Sequence, residues 1–117
     1  MAIAARWRLL ERLPPARGRD PMPGVYELAD GQKQVIYIGM SAVDVPGRLR
    51  QHLARPGAIR DRAVYWRFEA SRVPQAREAQ LLAQHQEQYG ALPICNTFRP
   101  LERDSRRRYR ELSSSRE

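Results

Sequence analysis

The first clear pattern in the chain is a pair of β-favouring runs, residues 24–29 and 34–40, separated by a polar stretch that opens with an Asp-Gly step at 30–31. Such a step between two β-favouring runs is a strong local signal for a β-hairpin. With a four-residue loop, Tyr26 lies directly opposite Tyr37, and a two-residue turn moves Tyr37 to a diagonal position on the same face. The pattern therefore predicts two phenols converging at a sheet edge, although aromatic pairs also stabilise sheets that carry no chemistry.

Two helices and a third strand are predicted after the hairpin. Pro46 suits the first turn of a helix that ends near Arg55, and Pro74 opens a second helix that Gly90 ends. Residues 63–70 form a β-rich run between them, and a short helical or irregular segment follows Gly90. The order ββαβα with a terminal helical piece predicts an α+β fold, in which a three-stranded, mainly antiparallel sheet is flanked by helices.

The two ends of the chain differ in composition from this middle part. Trp7, Leu10 and Leu13 recur at helical spacing and predict an N-terminal helix, which a Pro- and Gly-rich connector joins to the hairpin. From Arg99 onward charge dominates, and the Ser-rich end is expected to fray. We expect three parts: an N-terminal helix and connector over residues 1–23, a domain over residues 24–98, and a basic segment over residues 99–117.

Helical spacing groups polar side chains that could form a site. Arg48 and His52, four residues apart, share one stripe of the first helix. Glu78 shares the apolar stripe of the second helix with Leu82, where a carboxylate is costly unless it is paired or binds a metal. Each residue also has an ordinary explanation. Arg48 could be a solvated helix arginine, His52 a partly buried histidine, and Glu78 the partner of Arg48 in a salt bridge.

Five short motifs, in this order, resemble those of the GIY-YIG nuclease family. Gly-Val-Tyr at 24–26 and Tyr-Ile-Gly at 37–39 stand for the two tripeptides of the family. Gly-Arg-Leu-Arg-Gln-His-Leu at 47–53 resembles its first helix, and Glu-Ala-Gln-Leu-Leu at 78–82 resembles the helix with its metal-binding Glu. Pro-Ile-Cys-Asn at 93–96 matches the Pro-x-x-Asn that closes the family pattern. Each motif alone is weak, but five in the right order form a strong signal that spans most of the chain.

The resemblance implies a metal-dependent endonuclease that hydrolyses DNA phosphodiester bonds with a single Mg²⁺ (or Mn²⁺) ion. The site positions that it implies are Tyr26, Tyr37, Arg48, His52, Glu78 and Asn96. Glu78 would bind the metal and Arg48 would contact the scissile phosphate. Tyr26 would act as the general base with help from a neutral His52, while Tyr37 orients the water or the phosphate. The division of labour between the two tyrosines stays open.

The remaining implied position, Asn96, would support the site from behind, although an Asn can equally cap or bridge loops. Other types of nuclease active site have little support, because the sequence contains no His-Asn-His zinc cassette, no Walker loop and no carboxylate cluster for two ions. The competing class is a catalytically weak or inactive DNA-binding or assembly module with the same fold.

The chain is strongly basic, with a formal net charge of +8 carried by 20 Arg and a single Lys. Clustered guanidinium groups release counterions from phosphates, so this charge favours DNA as a partner, although Arg-rich composition can also reflect G/C-rich coding. The predicted phosphate contacts are Arg50 and the run Arg106, Arg107 and Arg108. A partner protein or a homodimer is compatible with the sequence.

Cysteine content and hydropathy bear on the compartment. The single cysteine, Cys95, lies in an apolar context and is expected to be a small buried residue in a reducing compartment. No stretch approaches membrane-spanning length, and charged residues interrupt the start of the chain. We therefore expect a cytoplasmic protein with no membrane partner.

Overall fold

The computed structural model describes residues 2–96, and the sheet at its centre has four antiparallel strands. The strands are β1 (Arg8–Leu9), β2 (Gly24–Ala29), β3 (Val35–Ser41) and β4 (Tyr65–Ala70), in the spatial order β1-β4-β2-β3. The helices are α1 (Val45–Ala54), α2 (Ala58–Arg62) and α3 (Pro74–Tyr89), and a 3-10 turn covers Leu10–Arg12. The α+β class is therefore confirmed, with one strand more than the three predicted.

The extra strand comes from the N-terminal segment, where the predicted helix is wrong. Arg8 pairs with Trp66 and Leu9 with Tyr65, so β1 covers the edge of β4 that β2 leaves open. An open edge exposes unpaired backbone groups, and this pairing covers the part of the edge at Tyr65 and Trp66. The apolar spacing that looks helical in the sequence arises because a two-residue strand is followed by one 3-10 turn, which buries Leu10 in the core.

The other elements lie close to their predicted positions. Helix α1 holds Pro46 in its first turn, α3 begins at Pro74, and Gly90 follows the last residue of α3. Strand β4 occupies most of the predicted run over residues 63–70. The sequence pattern does not predict α2, because five residues are too few to show a helical period. No helix within residues 2–96 is long and apolar enough to cross a membrane.

The hairpin of β2 and β3 places the two tyrosines on one face, in the diagonal arrangement. Tyr26 pairs with Gly39 and Leu28 with Tyr37, so direct opposition of the two tyrosines is wrong by two residues. One residue of this shift comes from the loop, which is longer than expected, and one comes from a bulge at Ile36. A shift of a single residue would have turned Tyr37 to the other face, and the bulge restores it.

Each face of the sheet has its own hydrophobic cluster. On one face, α1 and α2 cover a cluster that includes Tyr26, Leu49 and Trp66. The cluster on the other face, under α3, consists of Ile3, Val25, Ile38 and Leu81. Because Tyr26 is only 1% exposed, it is a core residue as well as a predicted site residue, and its position is fixed by the packing around it.

Candidate active site

A cleft of about 510 Å³, here called the main cleft, opens beside the edge strand β3. Predicted site residues from β2, β3, α1 and α3 line it: Tyr26, Tyr37, Arg48, His52 and Glu78. The rest of its wall consists of Met40, Arg55, Ile59, Gln75 and Cys95. The fold thus brings together five side chains that are widely separated in the sequence.

A hydrogen bond of 2.8 Å joins the Tyr26 hydroxyl to Nε2 of His52, and both residues line the main cleft. Burial lowers the pKa of His52 to about 4, and the charges of Arg48 and Arg55 add to this effect. Burial also raises the pKa of Tyr26 far above its ordinary value, with a further contribution from Tyr37. At neutral pH the phenol is therefore protonated and the imidazole uncharged, and in the tautomer that carries its proton on Nδ1 the phenol donates to Nε2 of His52.

Gly39 provides the space in which these rings meet. A Cβ atom built on Gly39 would lie 2.5 Å from the Tyr26 hydroxyl oxygen and 2.8 Å from Cε2 of Tyr37. The ring centroids of Tyr26 and Tyr37 are 6.1 Å apart, and that of Tyr37 is 5.2 Å from that of His52. The glycine of the second tripeptide therefore lets three polar rings converge, because any larger residue would displace two of them.

Charged groups of both signs lie on the wall of the main cleft. Arg48 is exposed, and its Nη1 donates a hydrogen bond of 3.0 Å to Oε1 of Gln51. A guanidinium carries five N–H donors, so this bond leaves capacity for an anion in the cleft. Glu78 is the one carboxylate among the described residues that line it. The wall is thus suited to an anionic ligand held together with a cation.

The donor set around Glu78 fits a single hard cation that shares its ligands with a substrate. Mg²⁺ is commonly bound through one or two carboxylates, with waters and substrate phosphates completing its octahedron. Within residues 2–96, no group of three or more His, Cys, Asp or Glu side chains is placed to hold a metal ion. Glu78 is therefore the candidate ligand that the protein would supply in this cleft.

Asn96 does not line the main cleft but holds its edge strand. Its Oδ1 accepts a hydrogen bond of 2.9 Å from the backbone N–H of Ile38, and its Nδ2 donates one of 3.0 Å to the carbonyl of the same residue. The side chain is 4% exposed. Its amide thus occupies the place of a neighbouring strand at the open edge of β3, directly beside Tyr37.

The connector before β2 fixes the position of α1. Asp44 caps α1 by accepting a hydrogen bond of 2.9 Å from Gly47 N–H, and two bonds of 2.8 Å link it to Arg19. This pairing holds the pKa of Asp44 well below its ordinary range. Arg50 donates to the carbonyl of Pro14, so this predicted phosphate contact is engaged with the connector. The other predicted contacts, Arg106, Arg107 and Arg108, lie outside the described residues.

Two further polar residues of the main cleft, Arg55 and Gln75, are not singled out by the sequence patterns. Arg55 follows Arg48 by seven residues and Gln75 precedes Glu78 by three, so helical spacing could have found both. Cys95 is 5% exposed, as its apolar context predicts, and burial raises the pKa of its thiol.

The fold and the cleft together define a small α+β protein with a polar, arginine-bearing cleft at a sheet edge. The chain belongs to the family described as "Domain of unknown function (DUF7508)", whose family model matches residues 1–88. The matched span contains the five predicted residues that line the main cleft and ends before Asn96. The chain matches none of the curated proteins and none of the solved structures with which it was compared.

Proposed function

We propose that this protein is a metal-dependent endonuclease of the GIY-YIG type that hydrolyses DNA phosphodiester bonds in the cytoplasm. The observation that carries the proposal is the 2.8 Å hydrogen bond between Tyr26 and His52, in the same cleft as Arg48 and Glu78. These groups supply a proton acceptor, a cation for the phosphate and a carboxylate for a metal. Metal-assisted phosphodiester hydrolysis uses all three.

The Tyr26–His52 hydrogen bond offers a path for the proton of the attacking water. The water passes a proton to the Tyr26 oxygen while the phenolic proton moves to Nε2 of His52. Tyr26 remains a neutral phenol throughout, which avoids the buried phenolate that its raised pKa disfavours. His52 begins neutral, as its low pKa requires, and ends as an imidazolium facing the negative phosphate.

Arg48 and Tyr37 position the phosphate in this mechanism. The guanidinium of Arg48 donates hydrogen bonds to non-bridging oxygens and stabilises the charge that develops on them. Tyr37, whose ring lies 5.2 Å from that of His52, orients the water or the phosphate through its hydroxyl. Asn96 holds the strand of Tyr37 in place through its two bonds to Ile38.

Glu78 would bind the metal in this cleft. When bound, a single Mg²⁺ or Mn²⁺ ion supplies charge neutralisation at the phosphate and at the leaving oxygen. Burial is the main cause of the raised pKa of Tyr26, and the negative charge of Glu78 adds to it. Neutralising that carboxylate would therefore ease the removal of a proton from Tyr26.

Nicking of supercoiled plasmid by the purified protein in Mg²⁺, with EDTA as the metal-free control, tests the proposal. Tyr26→Phe keeps the packed ring and removes only the hydroxyl, so cleavage should fall by about 10²-fold or more, and Tyr37→Phe should lose less. Glu78→Gln should abolish Mg²⁺-dependent cleavage and preserve or improve DNA affinity. The matched controls Tyr89→Phe and Glu87→Gln change exposed side chains of α3 and should cleave at the wild-type rate.

The Glu78→Gln variant also separates the alternatives. Cleavage at the wild-type rate would rule out the metal role of Glu78. A structural pairing with Arg48 would instead appear as lost stability in urea unfolding, of about 1 kcal/mol or less because Arg48 is exposed. If the wild-type protein binds DNA but does not cleave it in the presence of any divalent ion tested, it is the non-catalytic DNA-binding or assembly module.

A further inference from the structure

A second cleft of about 180 Å³, here called the side cleft, lies next to the main cleft. The two clefts share four lining residues: His52, Arg55, Ile59 and Cys95. The side cleft is completed by Pro56, Gly57, Ala58 and Arg60. The side cleft therefore adjoins the main cleft at the C-terminal end of α1, and the proposed mechanism does not use the residues that line the side cleft alone.

The turn between α1 and α2 builds the side cleft. Gly57 has φ 152° and ψ −177°, a conformation that is essentially restricted to glycine. A Cβ atom on Gly57 would meet nothing within 4 Å, so the glycine is needed for the backbone path and not for close packing. This path folds α2 back beside α1 and places Arg60 in the same cleft as Arg55.

The side cleft has two positively charged side chains, Arg55 and Arg60, beside the neutral His52 that it shares with the main cleft. No carboxylate among the described residues lines it. Arg55 and Arg60 are exposed, and within residues 2–96 neither side chain has a hydrogen-bond or salt-bridge partner. The charge of Arg55 reaches the main cleft, because it contributes to the lowered pKa of His52 after burial and Arg48. Two unpaired guanidinium groups beside an apolar floor favour an anion with an apolar body.

We propose that the side cleft binds a phosphate of the nucleic-acid strand that neighbours the phosphate held by Arg48 in the main cleft. This inference rests on the proposed function and adds a second contact point along the same strand. Arg55 and Arg60 donate to the non-bridging oxygens, which positions the strand without reading its sequence. The apolar floor formed by Pro56 and Ala58 packs against the sugar. Arg55 caps the C-terminal end of α1, and seven residues of helical rise, about 10 Å, separate it from Arg48, so the two guanidinium groups can reach different phosphates of one strand.

Binding of a fluorescein-labelled DNA duplex, measured by fluorescence anisotropy in EDTA at several salt concentrations, tests the side cleft without any cleavage. Each phosphate contact contributes about 0.9 to the slope of log K against log salt, so Arg55→Gln and Arg60→Gln should each reduce the slope by about 0.9. Arg55→Lys keeps the charge and should keep the slope. The control Arg12→Gln changes an exposed arginine next to β1, at the opposite edge of the sheet from β3, and should leave it unchanged.

A second readout shows that the variant is folded and that only its charge has changed. Arg55→Gln should raise the pKa of His52, followed by NMR in the DNA-free protein, because one of the charges that lowers it is gone. A merely structural role of Arg55 would instead lower the urea midpoint and leave the DNA slope intact.

The outcomes separate this inference from the nuclease proposal. Reduced slopes in both variants together with Mg²⁺-dependent nicking by the wild type support the two proposals. Reduced slopes in a protein that nicks no DNA support the phosphate site and overturn only the hydrolase. Slopes equal to that of Arg12→Gln in a protein that does nick plasmid overturn the side-cleft site and leave the hydrolase standing.

Discussion

Replacing Gly39 by alanine would place a methyl group in the space that the Tyr26 ring now fills. The added Cβ would lie 2.5 Å from the Tyr26 hydroxyl oxygen and 2.6 Å from its Cζ, whereas ordinary contact begins near 3.4 Å. The ring must therefore retreat by nearly an ångström. The residue is 1% exposed, and its ring cannot move towards His52, whose Nε2 is already 2.8 Å from the hydroxyl.

The consequence for stability and the consequence for cleavage differ in size. Overpacking of a filled core costs about 1–3 kcal/mol of unfolding free energy. The stiffer alanine backbone recovers roughly 0.5–1 kcal/mol of that cost. A displacement of about 1 Å in a catalytic group can cost 10²-fold in rate. Gly39→Ala should therefore remain folded, with a modestly lower urea midpoint, and lose about 10²-fold in plasmid nicking.

Gly31→Ala is the matched control, because Gly31 lies in the loop of the same hairpin and a Cβ there would meet only Cγ2 of Val64, at 4.0 Å. This control should match the wild type in both urea unfolding and nicking. If Gly39→Ala is as stable as the control, the close approach of Tyr26 to Gly39 is refuted. If it is destabilised but cleaves at the wild-type rate, the position of the Tyr26 hydroxyl does not matter for cleavage, and the proton path through it is wrong.

Two further predictions concern the strand edge and the histidine. Asn96→Ala leaves the N–H and C=O of Ile38 without their partner, and since each unsatisfied buried group costs about 1–3 kcal/mol, urea unfolding should show a loss of at least 2 kcal/mol or so. An unchanged midpoint would contradict that role. As pH falls from 6.5 to 4, the unfolded chain protonates His52 before the folded protein does, so stability that is complete above pH 6.5 should fall in this window. Solvent screening of the partly exposed ring reduces this loss of unfolding free energy to about 1–2 kcal/mol. Urea titrations at pH 7 and pH 4.5 should show the loss in the wild type and in the control His85→Gln, but not in His52→Gln.

Elements whose ends or spacing depend on residues close together in the sequence could be predicted from it. Pro46 and Pro74 fix the first turns of α1 and α3, since proline is tolerated there and not further inside a helix. The four-residue spacing of Arg48 and His52 placed both at the main cleft, because α1 forms as expected. The helix spacing also placed Glu78 on the side of α3 that reaches this cleft.

Features that depend on distant partners could not be predicted in this way. Strand β1 exists because β4 has an open edge, which no window around Arg8 and Leu9 can show. Arg50 has the composition of a phosphate contact but meets the carbonyl of Pro14, a residue of the connector. The pairing register depends on the bulge at Ile36, and a local turn signal does not specify it.

The bulge at Ile36 makes the interval between the two tyrosines adjustable. A chain without this residue would pair β2 with β3 as a regular ladder and would still place Tyr37 opposite Leu28, so two different spacings of the tyrosines are compatible with one arrangement of phenols. Ile36 nevertheless has a structural role, because its carbonyl accepts a hydrogen bond of 2.8 Å from the N–H of Cys95, the neighbour of Asn96. Shortening the hairpin by this one position would thus leave the phenols in register while detaching the segment that closes the edge of the sheet.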